Sequence, residues 1–288
     1  MIEKMGGIYW LSSYPKSGNT WFRTFLQNLR EDGDEPVEIN ALRTGSIASA
    51  RSWLDEILGF DTADMTIDEI DDLRPFVYEW SALDGALEYH KIHDAYTYTK
   101  KGVPLVGDAN IRGALYLVRN PLDVASSFAN HLQCSLDKAI EQMGSSDMGF
   151  VRSQKKLHYQ VRQKLLSWSE HVVSWLDAPN LNLEVLRYED MLGDSHASFT
   201  RAARFLELPH SPEKIKKAVK FSEFKKLKSQ ENESGFKEKP PNTPSFFRQG
   251  KSGGWRNELT RQQVSKIIKD HGEVMLRLKY LDAQGNPV

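Results

Sequence analysis

The run IYWLSSYPKSGNTWF, residues 8–22, constrains the fold more than any other part of the chain. Apolar and aromatic residues over 7–13 predict a buried strand. Trp21, Phe22, Phe25, Leu26 and Leu29 then recur at helical spacing over 19–30, so a short polar turn must join strand to helix. Such a turn aims several backbone N–H groups and the positive helix end at one point, which suits a phosphate. Lys16 adds a full charge, Ser17 and Thr20 add hydroxyls, and Gly18 lets the backbone come close. The order is not that of the nucleotide-kinase loop GxxxxGK[ST]. The upstream glycine is missing, Lys16 precedes Gly18, and no Lys-Ser/Thr pair opens the helix to hold Mg²⁺. Taken alone, the stretch also fits an ordinary polar turn.

Strand and helix signals alternate through the rest of the chain. Helices are predicted over 46–59 and 66–73, the second with a capping box of Thr66 and Glu69. A second apolar run, GALYLVR at 113–119, is stopped by Pro121 at a first helical position. Leu165, Trp168, Val172, Val173 and Leu176 share one face of an amphipathic helix predicted over 162–177. A strand at 181–187 and a helix at 198–208 follow, and Ser211-Pro212 opens one more helix. This alternation implies a parallel sheet covered on both faces by helices. From 229 to 245 the pattern lapses into charges, glycine and proline, too long for a plain connection. The expectation is one domain over 1–288 with a mobile lid at 229–247.

The 288 residues suffice for a single large α/β domain. A formal net charge of −1 gives no whole-molecule attraction to nucleic acid or an anionic membrane. No apolar run reaches the roughly 18 residues that span a bilayer, and Ile8 to Leu11 run straight into polar sequence, unlike a leader peptide. Cys134 is alone, so no internal disulfide forms and a reducing cytoplasm is the expected compartment. Charge is uneven locally. Residues 31–88 hold 16 acidic against three basic side chains, and 201–256 hold 14 Lys/Arg against 6 Asp/Glu. Solvated helix faces or a basic donor wall facing an acidic rim would both produce this pattern.

YPKSGNTW resembles the 5′-phosphosulfate loop of the sulfotransferases that use 3′-phosphoadenosine 5′-phosphosulfate (PAPS), a family of single-domain α/β enzymes. The resemblance implies a P-loop-like central parallel sheet and a donor site at Lys16, Ser17, Gly18, Asn19, Thr20 and Trp21. In LYLVRNPLDVASSF, Arg119 ends a strand and Ser127 lies eight residues on. One guanidinium and one hydroxyl at that spacing suit an anion near the sheet edge. The same family uses an arginine and a serine here on the donor's 3′-phosphate. Phe247, Arg248, Gln249 and Gly250 resemble its Arg-x-Gly run, which closes over that phosphate. Gly254 stands before Trp255 where the family has an aspartate, and this departure puts the anchoring of the local loop in doubt. For the adenine, Tyr188 matches the family's contacting tyrosine, while Ser222, Phe224 and Leu227 resemble its Thr-Ser-Phe-x-x-Met run. Trp21 and Phe224 are equally readable as core aromatics. A 3′-phosphate is what ATP lacks, so three such segments favour PAPS as donor and PAP (adenosine 3′,5′-bisphosphate) as product.

Lys91 and His93 in EYHKIHDAY are two apart and so face the same way on a strand. They resemble the family's Lys-Thr-His, whose histidine removes the acceptor's proton. An ordinary imidazole titrates near pH 6.5 and suits that task. Lys16 and Lys91 would offset charge building on the transferring group. The catalytic set is therefore His93, Lys16, Lys91 and Ser127, with no metal: the sequence has no H-E-x-x-H and no paired Cys. His90, His131 and His158 are read as structural or exposed. Asp94 would orient His93 or touch the acceptor.

The resemblance spans most of the chain, leaving 31–89 and 131–159 unassigned as walls for a small acceptor such as a phenol, alcohol or amine. Trp53, Phe60, Phe76, Tyr78 and Trp80 would line it or pack helices. A small-molecule or nucleotide kinase and a non-catalytic nucleotide-binding module are the competing readings. The family's dimerisation run would fall at 256–265, where only Thr260 and a Lys-to-Arg change survive, so that dimer is not expected and oligomeric state stays open.

Overall fold

Seven consecutive buried residues form the first strand, β1 (Gly7–Ser13), and a strand buried on both faces belongs inside a parallel sheet. The structure is a computed structural model that describes residues 6–153, 156–241 and 243–288. After β1 come α1 (Asn19–Glu31), α2 (Arg51–Leu58), α3 (Ile67–Ser81), β2 (Leu87–Ile92), β3 (Ile111–Val118), α4 (Pro121–Leu132) and α5 (Leu136–Met143). Then follow β4 (Gly149–Phe150), β5 (Gln163–Lys164), α6 (Trp168–Leu176), β6 (Leu183–Arg187), α7 (Tyr188–Gly193) and α8 (Ser195–Phe205). The C-terminal helices are α9 (Pro212–Phe221), α10 (Phe224–Ser234), α11 (Trp255–Glu258) and α12 (Arg261–Arg277).

The four long strands form one sheet in the order β2-β1-β3-β6, the central parallel sheet flanked by helices that the alternation predicts. β1 and β2 run in parallel with Gly7 opposite Leu87 and Ser12 opposite Ile92. β4 and β5 make a separate antiparallel pair. The chain divides into two compact units. One holds the residues up to Tyr14 with Gly45–Tyr116 and Ser145–Leu183, the other Pro15–Thr44, Leu117–Gly144 and Glu184–Val288. Among the described residues no helix is long and apolar enough to cross a membrane.

Several helix starts follow the sequence. Asn120 caps α4 with Pro121 at its first position, Ser211 caps α9 ahead of Pro212, and Thr66 with Glu69 forms the capping box of α3. Three helices differ from expectation. The one predicted over 162–177 starts only at Trp168. Gln163 and Lys164 pair with β4, Leu166 has a positive φ of 59°, and Ser167 with Glu170 makes a capping box. That box was in the sequence, but the longer apolar periodicity hid it. The helix predicted to end at residue 73 runs through Pro75 to Ser81. Arg74, Val77 and Tyr78 are buried there, so packing offsets the backbone hydrogen bond that proline removes. α2 begins at Arg51 rather than near residue 46. Within 229–247, α10 continues to Ser234, so regular structure reaches into the segment read as a lid. Asn242 of that segment lies outside the described residues.

Candidate functional site

The turn after β1 takes an unusual backbone path. Lys16 has φ of 73° and Gly18 has φ of 97°, both in the left-handed region that a Cβ disfavours. Glycine is needed at 18 for a second reason: a Cβ there would lie 2.8 Å from Cδ2 of Tyr188. Ser17, Asn19 and Thr20 are buried, and among the described residues the Ser17 hydroxyl has no hydrogen-bond partner. A buried polar atom left unpaired costs stability unless a ligand completes it. These groups lie beside the start of α1, where free backbone N–H groups and the helix dipole favour an anion.

Arg119, at the end of β3, reaches this turn. Its Nη1 donates to the Lys16 carbonyl at 3.3 Å and its Nη2 to the Lys251 carbonyl at 2.9 Å. Its guanidinium carbon stands 4.3 Å from the centre of the Tyr188 ring, a cation–π distance. Tyr188 is itself buried. Burial raises its hydroxyl pKa, the nearby Arg119 opposing that shift. Ser127 sits half-buried in the second turn of α4. Arg119 thus joins the first turn, the second strand-to-helix junction and the 248–255 segment through side-chain contacts in one unit.

Asp123 resolves the doubt raised by the missing aspartate before Trp255. Its carboxylate accepts from the Gly253 N–H at 2.7 Å, the Trp255 N–H at 3.0 Å and the Ser252 hydroxyl at 3.4 Å. A carboxylate on α4 therefore anchors the loop, in place of one within it. Arg248 and Gln249 both donate to Oε1 of Glu258, at 3.0 and 2.6 Å. Gly250 has φ of 61°, and a Cβ on it would stand 2.4 Å from the Phe224 ring.

The residues assigned to adenine come together. Leu227 and Phe247 belong to one buried cluster with Ile39 and Phe236, and Trp21, Phe224 and Phe246 pack against it half-buried. Trp21 meets the edge of Tyr188 with ring centres 5.7 Å apart. Ser222 differs from the rest. Its hydroxyl donates within its own helix, to the carbonyls of Ala218 at 2.9 Å and Val219 at 3.1 Å.

Two residues that the sequence did not single out shape this unit. Phe246 lies under the Lys16 ammonium, 3.8 Å from ring centre to Nζ. Glu231, buried on α10, accepts from the Phe246 and Phe247 N–H groups at 2.5 and 3.1 Å and from the Ser245 hydroxyl at 3.0 Å, with Lys228 as ion partner. Burial alone would raise the Glu231 pKa, but these bonds outweigh it and hold the carboxyl below the usual range.

In the other unit β2 ends at Ile92, and His93 follows directly, half-buried like Lys91. The Ser13 carbonyl lies 2.8 Å from His93 Nδ1. A carbonyl only accepts, so Nδ1 carries a proton, and in the neutral ring the lone pair is then on Nε2. The carbonyl of Lys91 accepts from the Ala48 N–H at 2.8 Å. Among the described residues Asp94 makes no hydrogen bond to the His93 ring itself. It is buried, and its carboxylate binds Arg74 through two nitrogens, at 2.7 and 3.2 Å, and the Lys164 N–H at 3.0 Å. His90 is structural: buried, stacked on Trp53 at 4.3 Å, and bonded to Ser46 and Glu88. Trp53 and Tyr78 are core aromatics, whereas Phe60, Phe76 and Trp80 are exposed.

The two segments left unassigned by the sequence line a cavity of about 230 Å³ in this unit. Ile67 and Ile70 contribute from α3, Val151, Leu157 and His158 from the later segment, with Arg51 between them. Lys155 and Gln154, inside that later segment, lie outside the described residues.

Comparison with known proteins follows the same lines. A family model described as a sulfotransferase domain matches residues 8–279. Sulfotransferase 2A6 of Rattus norvegicus is 26% identical over 271 residues, covering 92% of this chain and 83% of its own length. Flavonol 3-sulfotransferase of Flaveria bidentis is 26% identical over 276 residues, covering 90% and 78%. Among solved structures, mouse sulfotransferase SULT7A1 complexed with PAP superposes with a TM-score of 0.56 at 19% identity, over 94% of this chain and 85% of that one. Retinol dehydratase in a complex with retinol and PAP gives 0.59 at 20%, over 95% and 83%. At such identities the two structures speak for the fold.

Proposed function

The chain belongs to the sulfotransferase family, the PAPS-dependent transferases, and from that premise we propose that it transfers a sulfuryl group from PAPS to a hydroxyl or amine of a small-molecule acceptor. The observation that carries the donor assignment is the Arg119 guanidinium bonded to the Lys16 carbonyl at 3.3 Å. It connects two strand-to-helix junctions, each bearing a cation and a hydroxyl, and that proximity supports reading them as one anion site. Lys16, Ser17, Gly18, Asn19 and Thr20 hold the 5′-phosphosulfate, and Arg119, Ser127 and the 247–250 segment hold the 3′-phosphate. Trp21, Tyr188, Phe224 and Leu227 contact the adenine, with Ser222 beside them through its backbone.

The reaction is an in-line displacement at sulfur. The acceptor oxygen forms a bond to sulfur as the bond from sulfur to the bridging phosphate oxygen breaks. The acceptor's proton passes to Nε2 of His93, and PAP leaves with the electron pair. Lys16 and Lys91 offset the charge that develops on the departing phosphate and the transferring group. No metal enters this scheme, because the charge is met by lysine and arginine.

Thermal unfolding with PAP, beside ATP with and without Mg²⁺, tests the proposal. A ligand at about 100 times its Kd stabilises the folded state by roughly 2.7 kcal/mol. A rise in Tm with PAP alone supports the assignment. A larger rise with Mg-ATP replaces it with the kinase reading.

A further inference from the structure

His93 stands on a two-residue turn that several elements grip from behind. Its own carbonyl accepts from His171 Nε2 at 3.0 Å. The Asp94 carbonyl accepts from the Trp175 indole N–H at 3.0 Å, and the Ala95 N–H donates to the Lys164 carbonyl at 2.7 Å. The Asp94 side chain is fully buried and held by Arg74, which is fully buried as well. Arg74 spends its remaining donors on the Tyr78 hydroxyl at 2.7 Å and the Arg162 carbonyl at 2.9 Å. Asp71, in contact with Arg74, also binds Arg162 and Lys164. All of these residues lie in the same unit as His93.

We propose that Arg74, acting through Asp94, is a positioning residue for the His93 imidazole in sulfuryl transfer. The inference rests on the reading of His93 as general base. A planar guanidinium that spans both oxygens of Asp94 fixes the carboxylate's direction as well as its distance. With both carbonyls of the turn also held, the peptide bearing His93 has one orientation, and Ser13 then fixes the ring. Small misplacements of a catalytic group lower the rate steeply, so the buried pair acts on turnover rather than on donor binding. An isolated charge would not be buried here without such a partner. The pair also gives Asp94, the residue after the histidine, a buried partner for its charge.

The test is Arg74→Lys, which keeps the charge and loses the fork, compared in the wild-type and His93→Ala backgrounds. In the wild-type background kcat falls about tenfold while the KM for PAPS stays within about twofold. In the His93→Ala background the same substitution changes kcat by less than about twofold, because there is no base left to position. An equal loss in both backgrounds, or none in either, overturns the proposal. A His93→Ala variant with full activity instead overturns the general-base reading on which it rests. Should Arg74→Lys not fold, judged by the PAP-induced shift in Tm, Trp175→Phe removes the bond to the Asp94 carbonyl and is read in the same two backgrounds.

Discussion

The Ser13 carbonyl accepts the Nδ1 proton of His93 at 2.8 Å. One backbone atom at the end of β1 thereby chooses the tautomer of a side chain at the end of the neighbouring strand. The nitrogen left to accept a proton is Nε2. His93→Ala should therefore lower kcat by about 10²- to 10⁴-fold, the usual contribution of a positioned base. Calorimetric titration with PAP should give nearly the wild-type Kd. A parallel loss of PAP affinity would remove His93 from the catalytic role.

Lys16 combines a needed charge with a backbone angle that suits glycine. Lys16→Ala and Lys16→Gly should both lose kcat by about 10²-fold or more through the missing ammonium. Their stabilities should differ in the other direction. Because φ is 73° at this position, the glycine variant should resist urea better than the alanine variant by about 1 kcal/mol. Equal midpoints would mean that the turn relaxes when the side chain is lost.

Asp123 is the anchor of the 252–255 loop. Asp123→Ala leaves the Gly253 and Trp255 N–H groups without an acceptor, at about 1–3 kcal/mol for each group that stays buried. The 248–250 segment continues from that loop. PAP should consequently bind about 10- to 100-fold more weakly by calorimetric titration. Unchanged PAP affinity would detach this segment from the donor site.

His171 links stability to pH. Complete burial lowers its pKa from 6.5 to about 4. Above pH 6.5 the folded and unfolded forms are both neutral, so the full stability is present. Between about pH 6.5 and about 4 the unfolded chain takes up a proton that the folded one refuses, and stability falls by up to roughly 3 kcal/mol. Replacing it by His171→Gln keeps a donor and an acceptor without an ionisable ring. The slope of Tm against pH over that window should flatten in this variant, and an unaltered slope would assign the acid sensitivity to carboxylates.

The sequence alone determined the features that depend on neighbours in the chain. β1, the turn at Lys16 and Gly18, α1, the capping of α3 by Thr66 and Glu69, and the prolines opening α4 and α9 are set by side chains within a few residues. The family resemblance rests on the same local runs and indicated where Arg119, Tyr188, Phe224 and Leu227 would be used. Only tertiary structure decided which distant groups complete them. Asp123 supplies the carboxylate absent before Trp255, across more than a hundred residues. Arg74 lies in an acidic stretch and meets Asp94 over a separation of 20, and Phe246 meets Lys16 from the far end of the chain. The helix expected from residue 162 failed for the same reason, since strand pairing and Asp94 claim the backbone there. Local propensity and capping are written in consecutive residues, whereas the partner of a buried charge depends on which segments the sheet and helices bring side by side.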